Sequence, residues 1–419
     1  MNSIRKWIGL GTLALLLPLG ACNILDVESP GKITDDSLND PDAFPSLVYG
    51  MSYNLANAND NVEEIQTLLS GEMWHSGSYD WGKIPRGIIL PEDVDNSWAW
   101  MQQAQWVTDH GIERMQSVYT PEDFGSSALV AQAYLYGGFA DRLIGELVCE
   151  AVIDSAAPQP NTVEFQRAKD KFTQAIQIGT AAGLSATDPI ILAAYGGRAS
   201  VTAWLGDWPG AVADAEKVPA DFQYDAILNA SANNQNTIAY ETHARFEYSL
   251  WGTIFADHFG DPRVPWDTVY DDHGAVASGA NGKDTVFRQE KYANVDDDIP
   301  LTHGTEMLVL RAEAALRLDG AAGIGPAFDL LNQARAVYDM SPLATPATLD
   351  EAWDTLHYER AATVFLENRH LWDVRRWYAE EGPAHYDFLA PHPELGQDYE
   401  RDSCIPISRE ERNSNPNVP

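Results

Sequence analysis

The sequence predicts a mostly α-helical protein, built from helical pairs and interrupted by loop-rich parts. Three observations predict it. Apolar residues recur at three- and four-residue steps over several long segments. Small residues sit at helical spacing in "AYGGRASVTAWLGDWPGAVADAEKV" (194–218), which lets two helices approach closely. Two stretches, about 71–95 and 219–300, lose that periodicity and fill with Gly, Pro, Asn and Asp.

In chain order, residues 1–21 form a leader. Arg5 and Lys6 supply a positive start, and 8–17 is an apolar run too short for a comfortable membrane span. "LGAC" (19–22) then resembles a bacterial lipobox, with Cys22 as the acylated residue. Residues 22–33 are expected to be a lipid-anchored tether, and 34–419 one domain. Nothing after the cysteine, in Asn23, Asp26 or Glu28, argues for inner-membrane retention, so an outer-membrane anchor is expected, with lipid as the sole membrane attachment.

The first helix is expected over 34–58, where Phe44, Leu47, Val48, Met51 and Leu55 share a face and Asp40-Pro41 starts it. A second is expected over 96–118, with Trp98 and Trp100 assigned to the core. "AKDKFTQAIQIGTAAG" (168–183) reads as the second helix of a repeat unit. The 194–218 stretch reads as a tetratricopeptide-like pair in which Gly206 ends one helix and Asp207 caps the next. Segments 305–320 and 326–338 read as a further pair. The spacing is not uniform, so the array is an interrupted one. A loop-rich stretch as long as 219–300 suggests a functional surface or an inserted subdomain.

Charge narrows the function. Lys plus Arg number 27 and Asp plus Glu 62, a net charge of −35, and no basic stripe exists for phosphates. The ten histidines are scattered, and no zinc-protease, nucleophile-elbow, P-loop or dinucleotide motif is present. The acidic loops 92–97 and 294–300 lack the glycine and distant glutamate of a calcium loop and read as solvated. No metal or other cofactor is expected. Cys149 and Cys404 are open to two readings, a disulfide or two buried thiols.

"LENRHLWDVRRW" (366–377) carries the densest chemistry. Read as helix, Asp373 falls within reach of both Arg369 and Arg376, and Trp372 is placed to stack on Arg376. Arginine–aspartate pairs beside tryptophan suit a buried junction and supply no nucleophile–base pair.

"YERAATVFLENRHLWDVRRW" resembles the C-terminal signature of SusD/RagB-type nutrient-binding lipoproteins. The matching residues are Glu359, Arg360, Glu367, Arg369, Trp372, Asp373, Arg376 and Trp377. The match departs where His370 and Leu371 precede Trp372 and where Val374 replaces leucine. "CIPISREERNSNPNV" near the end, Glu306 with the following Ala-Glu-Ala, Asp261 to Arg263, and Lys291-Tyr292 match lesser landmarks. The resemblance implies tetratricopeptide-like helical pairs with an inserted loop-rich ligand-binding subdomain. It also implies a non-catalytic, surface-exposed outer-membrane lipoprotein that hands oligosaccharide or peptide to a TonB-dependent SusC-type transporter.

The family pattern fixes no ligand residue, so candidates come from composition. Sugar rings stack on aromatic faces while their hydroxyls take amides and carboxylates. "MWHSGSYDWGK" offers Trp74, Tyr79, Asp80 and Trp81 outside any helix, and "DPRVPWDTVYDD" offers Trp266 and Asp267. The same aromatics would equally pack loops onto the core. Two other functions compete: a glycan-active hydrolase of helical-toroid type, and a tetratricopeptide scaffold for another protein's peptide.

Overall fold

The computed structural model describes residues 35–76, 80–231, 234–387 and 403–419. The leader, Cys22 and Tyr79 lie outside the described residues, as does the Asp80 side chain. No described helix is long and apolar enough to cross a membrane.

Thirteen α-helices form the described body: α1 (Phe44–Ser70), α2 (Asp95–Val118), α3 (Pro121–Gly125), α4 (Ala128–Leu147), α5 (Thr162–Ala181), α6 (Pro189–Trp204), α7 (Trp208–Ala215), α8 (Thr237–His243), α9 (Gly304–Asp319), α10 (Ile324–Val337), α11 (Leu349–Thr363), α12 (His370–Tyr378) and α13 (Arg409–Ser414). Four antiparallel two-stranded ribbons complete it: β1 (Trp74–His75) with β5 (Tyr248–Ser249), β2 (Glu150–Ala151) with β3 (Gln159–Pro160), β4 (Gln223–Ala226) with β8 (Ile299–His303), and β6 (Trp266–Thr268) with β7 (Phe287–Gln289). The protein is mostly α, with helical pairs, as its periodicity predicts.

The first helix runs past Ala58 to Ser70, where Gly71 ends it at φ 80°. Its second half, "NANDN", is rich in poor helix formers. They are held because Asn54, Asn57, Asn59 and Asn61 each donate their side-chain N–H to the carbonyl four residues back, at 2.7–2.9 Å. Its start is later than 34, because Asp40 and Pro41 initiate a short 3-10 turn that leads into α1. On α2 the buried stripe is Trp98, Met101, Ala104, Gln105, Thr108, Ile112 and Met115. Trp98 is core as expected; Trp100 is half-buried, one side packed against the same core.

α5, α6, α7, α9 and α10 fall where helices were expected. Gly206 adopts φ 86°, and Asp207 accepts the Gly210 N–H at 3.0 Å to start α7. α4 was unassigned by periodicity, since it is apolar nearly all round and buried. Its Gly138 faces Phe172 of α5, and Gly197 of α6 faces the same ring. A Cβ on either would sit 2.7 or 2.3 Å from it. The two glycines let three helices close on one phenylalanine.

The 219–300 region contains α8 and short ribbons joined by turns, and β8 feeds directly into α9. Cys149 and Cys404 form a disulfide, settling the open choice. The bond sits beside main-chain pairing of the tail: Ile405 N–H donates to Leu147 and Cys149 N–H donates to Ile405.

The 366–377 stretch is not one helix. α11 ends at Thr363, Leu366 and Asn368 take left-handed backbone angles, and α12 begins only at His370. Arg369 therefore points away from Asp373. It forms ion pairs with Glu306 at 2.8 Å and Glu146 at 3.0 Å. Asp373 instead takes Arg360 from α11 at 2.8 Å and Arg376 at 2.8 Å. Arg376 continues to Glu313 and lies over Trp204 and Trp377, while Arg375 is the one beside Trp372. Glu313 also accepts the Trp377 indole N–H at 3.1 Å.

The lesser landmarks converge on the same junction. Glu359 receives Arg263 and Arg335, each at 2.6 Å. Glu367 receives Lys291 at 2.6 Å and His303 at 3.0 Å, and the Tyr292 hydroxyl donates to the Leu366 carbonyl. Burial would raise the Glu306 carboxyl, but Arg369 and Arg360 beside it hold it down to about 2. The signature is a buried ionic clasp joining α9, α11 and α12.

Candidate ligand-binding groove

The cavity-lining side of α1 is not apolar. Tyr49, Ser52, Tyr53, Asn57, Asp60 and Asn61 recur at three- and four-residue steps and line two neighbouring cavities. The core stripe of Val48, Met51, Leu55 and Val62 takes the opposite role.

One cavity, about 440 Å³, is walled by Tyr53, Asn57, Asp60 and Asn61 of α1, Trp100 of α2, and Gln235, Thr237 and Tyr240 at the start of α8. That volume suits a small ligand. Trp100 and the two tyrosines provide ring faces, and Asn57, Asn61 and Gln235 provide amides. The walls are fixed by hydrogen bonds. Asp60 accepts both the Thr237 N–H at 2.6 Å and its hydroxyl at 2.7 Å. Asn236 caps α8 by accepting the Ala239 N–H, and its own amide donates to the Asp297 carbonyl. Across the groove Asn96 donates to Asn61 at 2.7 Å, and the Ser97 hydroxyl to the Asn61 carbonyl. Burial pushes the Asp60 carboxyl up to about 6, against the lowering effect of the Thr237 bonds.

A larger cleft of about 630 Å³ lies near Arg263, Lys291, His303 and Glu367. Its cationic groups are taken up by the clasp, Arg263 with Glu359 and Lys291 and His303 with Glu367, and the rest of its charged lining is acidic: Asp221, Asp225, Glu290, Asp297 and Asp298. The smaller cavity is the better candidate for a neutral ligand, because three aromatic residues, Tyr53, Trp100 and Tyr240, line it beside amide and hydroxyl side chains rather than ion pairs.

The sequence candidates lie elsewhere. Trp74 is 3% exposed, donates its indole N–H to Asp284 at 3.0 Å, and meets Trp251 edge-on, so it presents no ring face to solvent. Trp81 is half-buried against the main core. Trp266 is half-buried on β6 between Phe259 and Phe287, and Asp267 beside it is exposed. None of these four lines the groove. The residues that do were missed because a helix was taken to bury its aromatics.

In sequence, residues 259–418 match the model of the SusD family. No curated protein is similar in sequence. Solved structures share the fold. A SusD superfamily protein from Parabacteroides distasonis matches with a TM-score of 0.67 and 14% identity, over 93% of this chain and 99% of that one. One from Bacteroides vulgatus matches with 0.65 and 14%, over 91% and 98%. A third, described as being with xylogluco-oligosaccharide, matches with 0.61 and 13%, over 88% and 97%. Residues 259–418 therefore carry the sequence of the SusD family, and the described body shares the fold of solved SusD superfamily structures.

Proposed function

We propose that this SusD/RagB-type protein is a non-catalytic, lipid-anchored outer-membrane protein that captures an oligosaccharide at the cell surface and delivers it to a TonB-dependent SusC-type transporter. The observation that carries the reading is the groove. Trp100, Tyr53 and Tyr240 surround Asn57, Asn61 and Gln235, the ring-plus-amide chemistry that a sugar takes. The oligosaccharide in one structural neighbour supports it, as does the lipobox ending at Cys22. Binding without turnover is favoured because the described lining holds one carboxylate, Asp60, with both oxygens engaged by Thr237. Glycoside hydrolysis ordinarily needs two carboxyl groups facing the bond.

The test is calorimetric titration of the chain beginning after Cys22 with neutral oligosaccharides, followed by chromatography of the recovered sugar. Saturable binding, intact sugar and a loss of about tenfold or more in Trp100→Ala are expected. Shortened sugar, or unchanged affinity in that variant, overturns the reading. Loss of membrane association in Cys22→Ala, and co-purification with a barrel protein, test the anchor and the delivery step.

A further inference from the structure

We propose that the binding groove continues past Tyr53 into the second cavity, so that the site holds one extended, uncharged oligosaccharide along α1. The inference rests on the glycan reading above and adds a second site and a ligand class. The second cavity, about 500 Å³, is lined by Tyr49, Ser52 and Tyr53 of α1, by Gln132 and Tyr136 of α4, and by Asn229 and Asn234 among others. Tyr53 lines both cavities, so the two lie beside one residue of α1. From Tyr49 to Asn61 the lining stripe advances 61 − 49 = 12 residues, about 18 Å at the helical rise, which is longer than a disaccharide fills.

The chemistry of the second cavity repeats that of the first. Tyr49, 75% exposed, offers a ring face to solvent on the side of α1 nearest its N-terminus. Asn234 is 3% exposed and lines the cavity, and its amide oxygen has no hydrogen-bond partner. Its amide N–H reaches only the Ile227 carbonyl, at 3.3 Å. A buried acceptor without a donor is uncommon, and a sugar hydroxyl supplies the missing donor.

The lining also selects against charge. Among the described residues, the second cavity is lined by no Asp, Glu, Lys, Arg or His, and the first only by Asp60, already occupied by Thr237. No described lining residue supplies a cation to neutralise a uronate, sulfate or phosphate. The chain's net charge of −35 adds a general repulsion toward anions.

The experiment is titration of the soluble chain with cello-, xylo-, manno- and malto-oligosaccharides from disaccharide to heptasaccharide, and with oligogalacturonates of matching length. Tyr49→Ala, Asn234→Ala and Trp100→Ala are run in parallel, with thermal melts to confirm folding. Tyr49 is exposed enough that its replacement leaves the fold intact. At least one neutral series is expected to bind more tightly with length, and the oligogalacturonates not to bind. Tyr49→Ala should remove about tenfold of the affinity for the long member while leaving the short one unchanged. Length-independent affinity, no effect of Tyr49→Ala on the long ligand, silence of every neutral series, or preference for oligogalacturonates overturns the proposal. Trp100→Ala separates the two levels: loss of short and long ligands there, with no length effect, keeps the groove as a site and discards its extension.

Discussion

Asp373→Ala should unfold the C-terminal clasp without touching the groove. Asp373 is fully buried and receives Arg360 Nε at 2.8 Å and Arg376 at 2.8 and 3.0 Å. Removing the carboxylate leaves two guanidiniums in a water-free interior. Arg376 retains Glu313, and Arg360 retains only Glu306 at 3.3 Å, which Arg369 already shares. Breaking one partner of a buried ionic network costs about 3–5 kcal/mol, a large part of a total stability of about 5–15 kcal/mol. The assay is denaturant unfolding of the chain beginning after Cys22, followed by tryptophan fluorescence, since Trp204 and Trp377 lie against Arg376. Ligand titration at low denaturant is the second readout. A stability change below about 1 kcal/mol would refute the clasp as an energetic keystone. A large loss of ligand affinity in the still-folded variant would show that the signature belongs to the binding machinery. Replacing Arg360 and Asp373 together by Met and Leu should cost less than the sum of the single changes, because no unpaired charge is left between them.

Three further outcomes are expected. Glu63 is fully buried with neither carboxyl oxygen hydrogen-bonded, and burial, then the nearby Asp60, raise it well above its usual 4.5. A raised folded-state value favours the neutral acid, so stability from this group is full below 4.5 and lost as pH rises through the folded-state value; Glu63→Gln should melt higher than the parent at alkaline pH, with the gap closing on acidification, and parallel melting curves across pH would contradict this. Reducing the Cys149–Cys404 bond removes a cross-link between positions 255 residues apart and should cost about 3–5 kcal/mol, read as a lower denaturation midpoint in reductant. Gly197→Ala places a methyl 2.3 Å from the Phe172 ring and should destabilise by about 1–3 kcal/mol; Gly325→Ala, with open space around it, is the control that should not.

Much of the fold was legible because helices are local objects. The 3.6-residue period, the Gly206-Asp207 break and the small residues of α6 each act within one turn of chain. Where local signals conflict with burial, the sequence misleads. α4 has no polar face to mark it, and the asparagines of α1 look like a loop until their bonds to the i−4 carbonyls are seen. The 366–377 stretch has helical composition throughout, yet left-handed Leu366 and Asn368 split it, because the tertiary contacts there outweigh local preference. One contact is Asn368 donating to the Asn59 carbonyl of α1; another is Glu72 accepting the Leu366 N–H.

The sequence by itself determined the helical class, the acidic surface, the structural character of Arg360, Asp373 and Arg376, and the resemblance carried by the C-terminal segment. These depend on composition and on spacing along one chain. Only the tertiary structure decided which aromatics face open space. Trp74, in a Gly-rich stretch, is closed in by Asp284 and Trp251, 210 and 177 positions away, while Trp100, on a helix, lines a groove with Tyr53 and Tyr240. Exposure is a property of what packs over a side chain, and that neighbour comes from elsewhere in the chain.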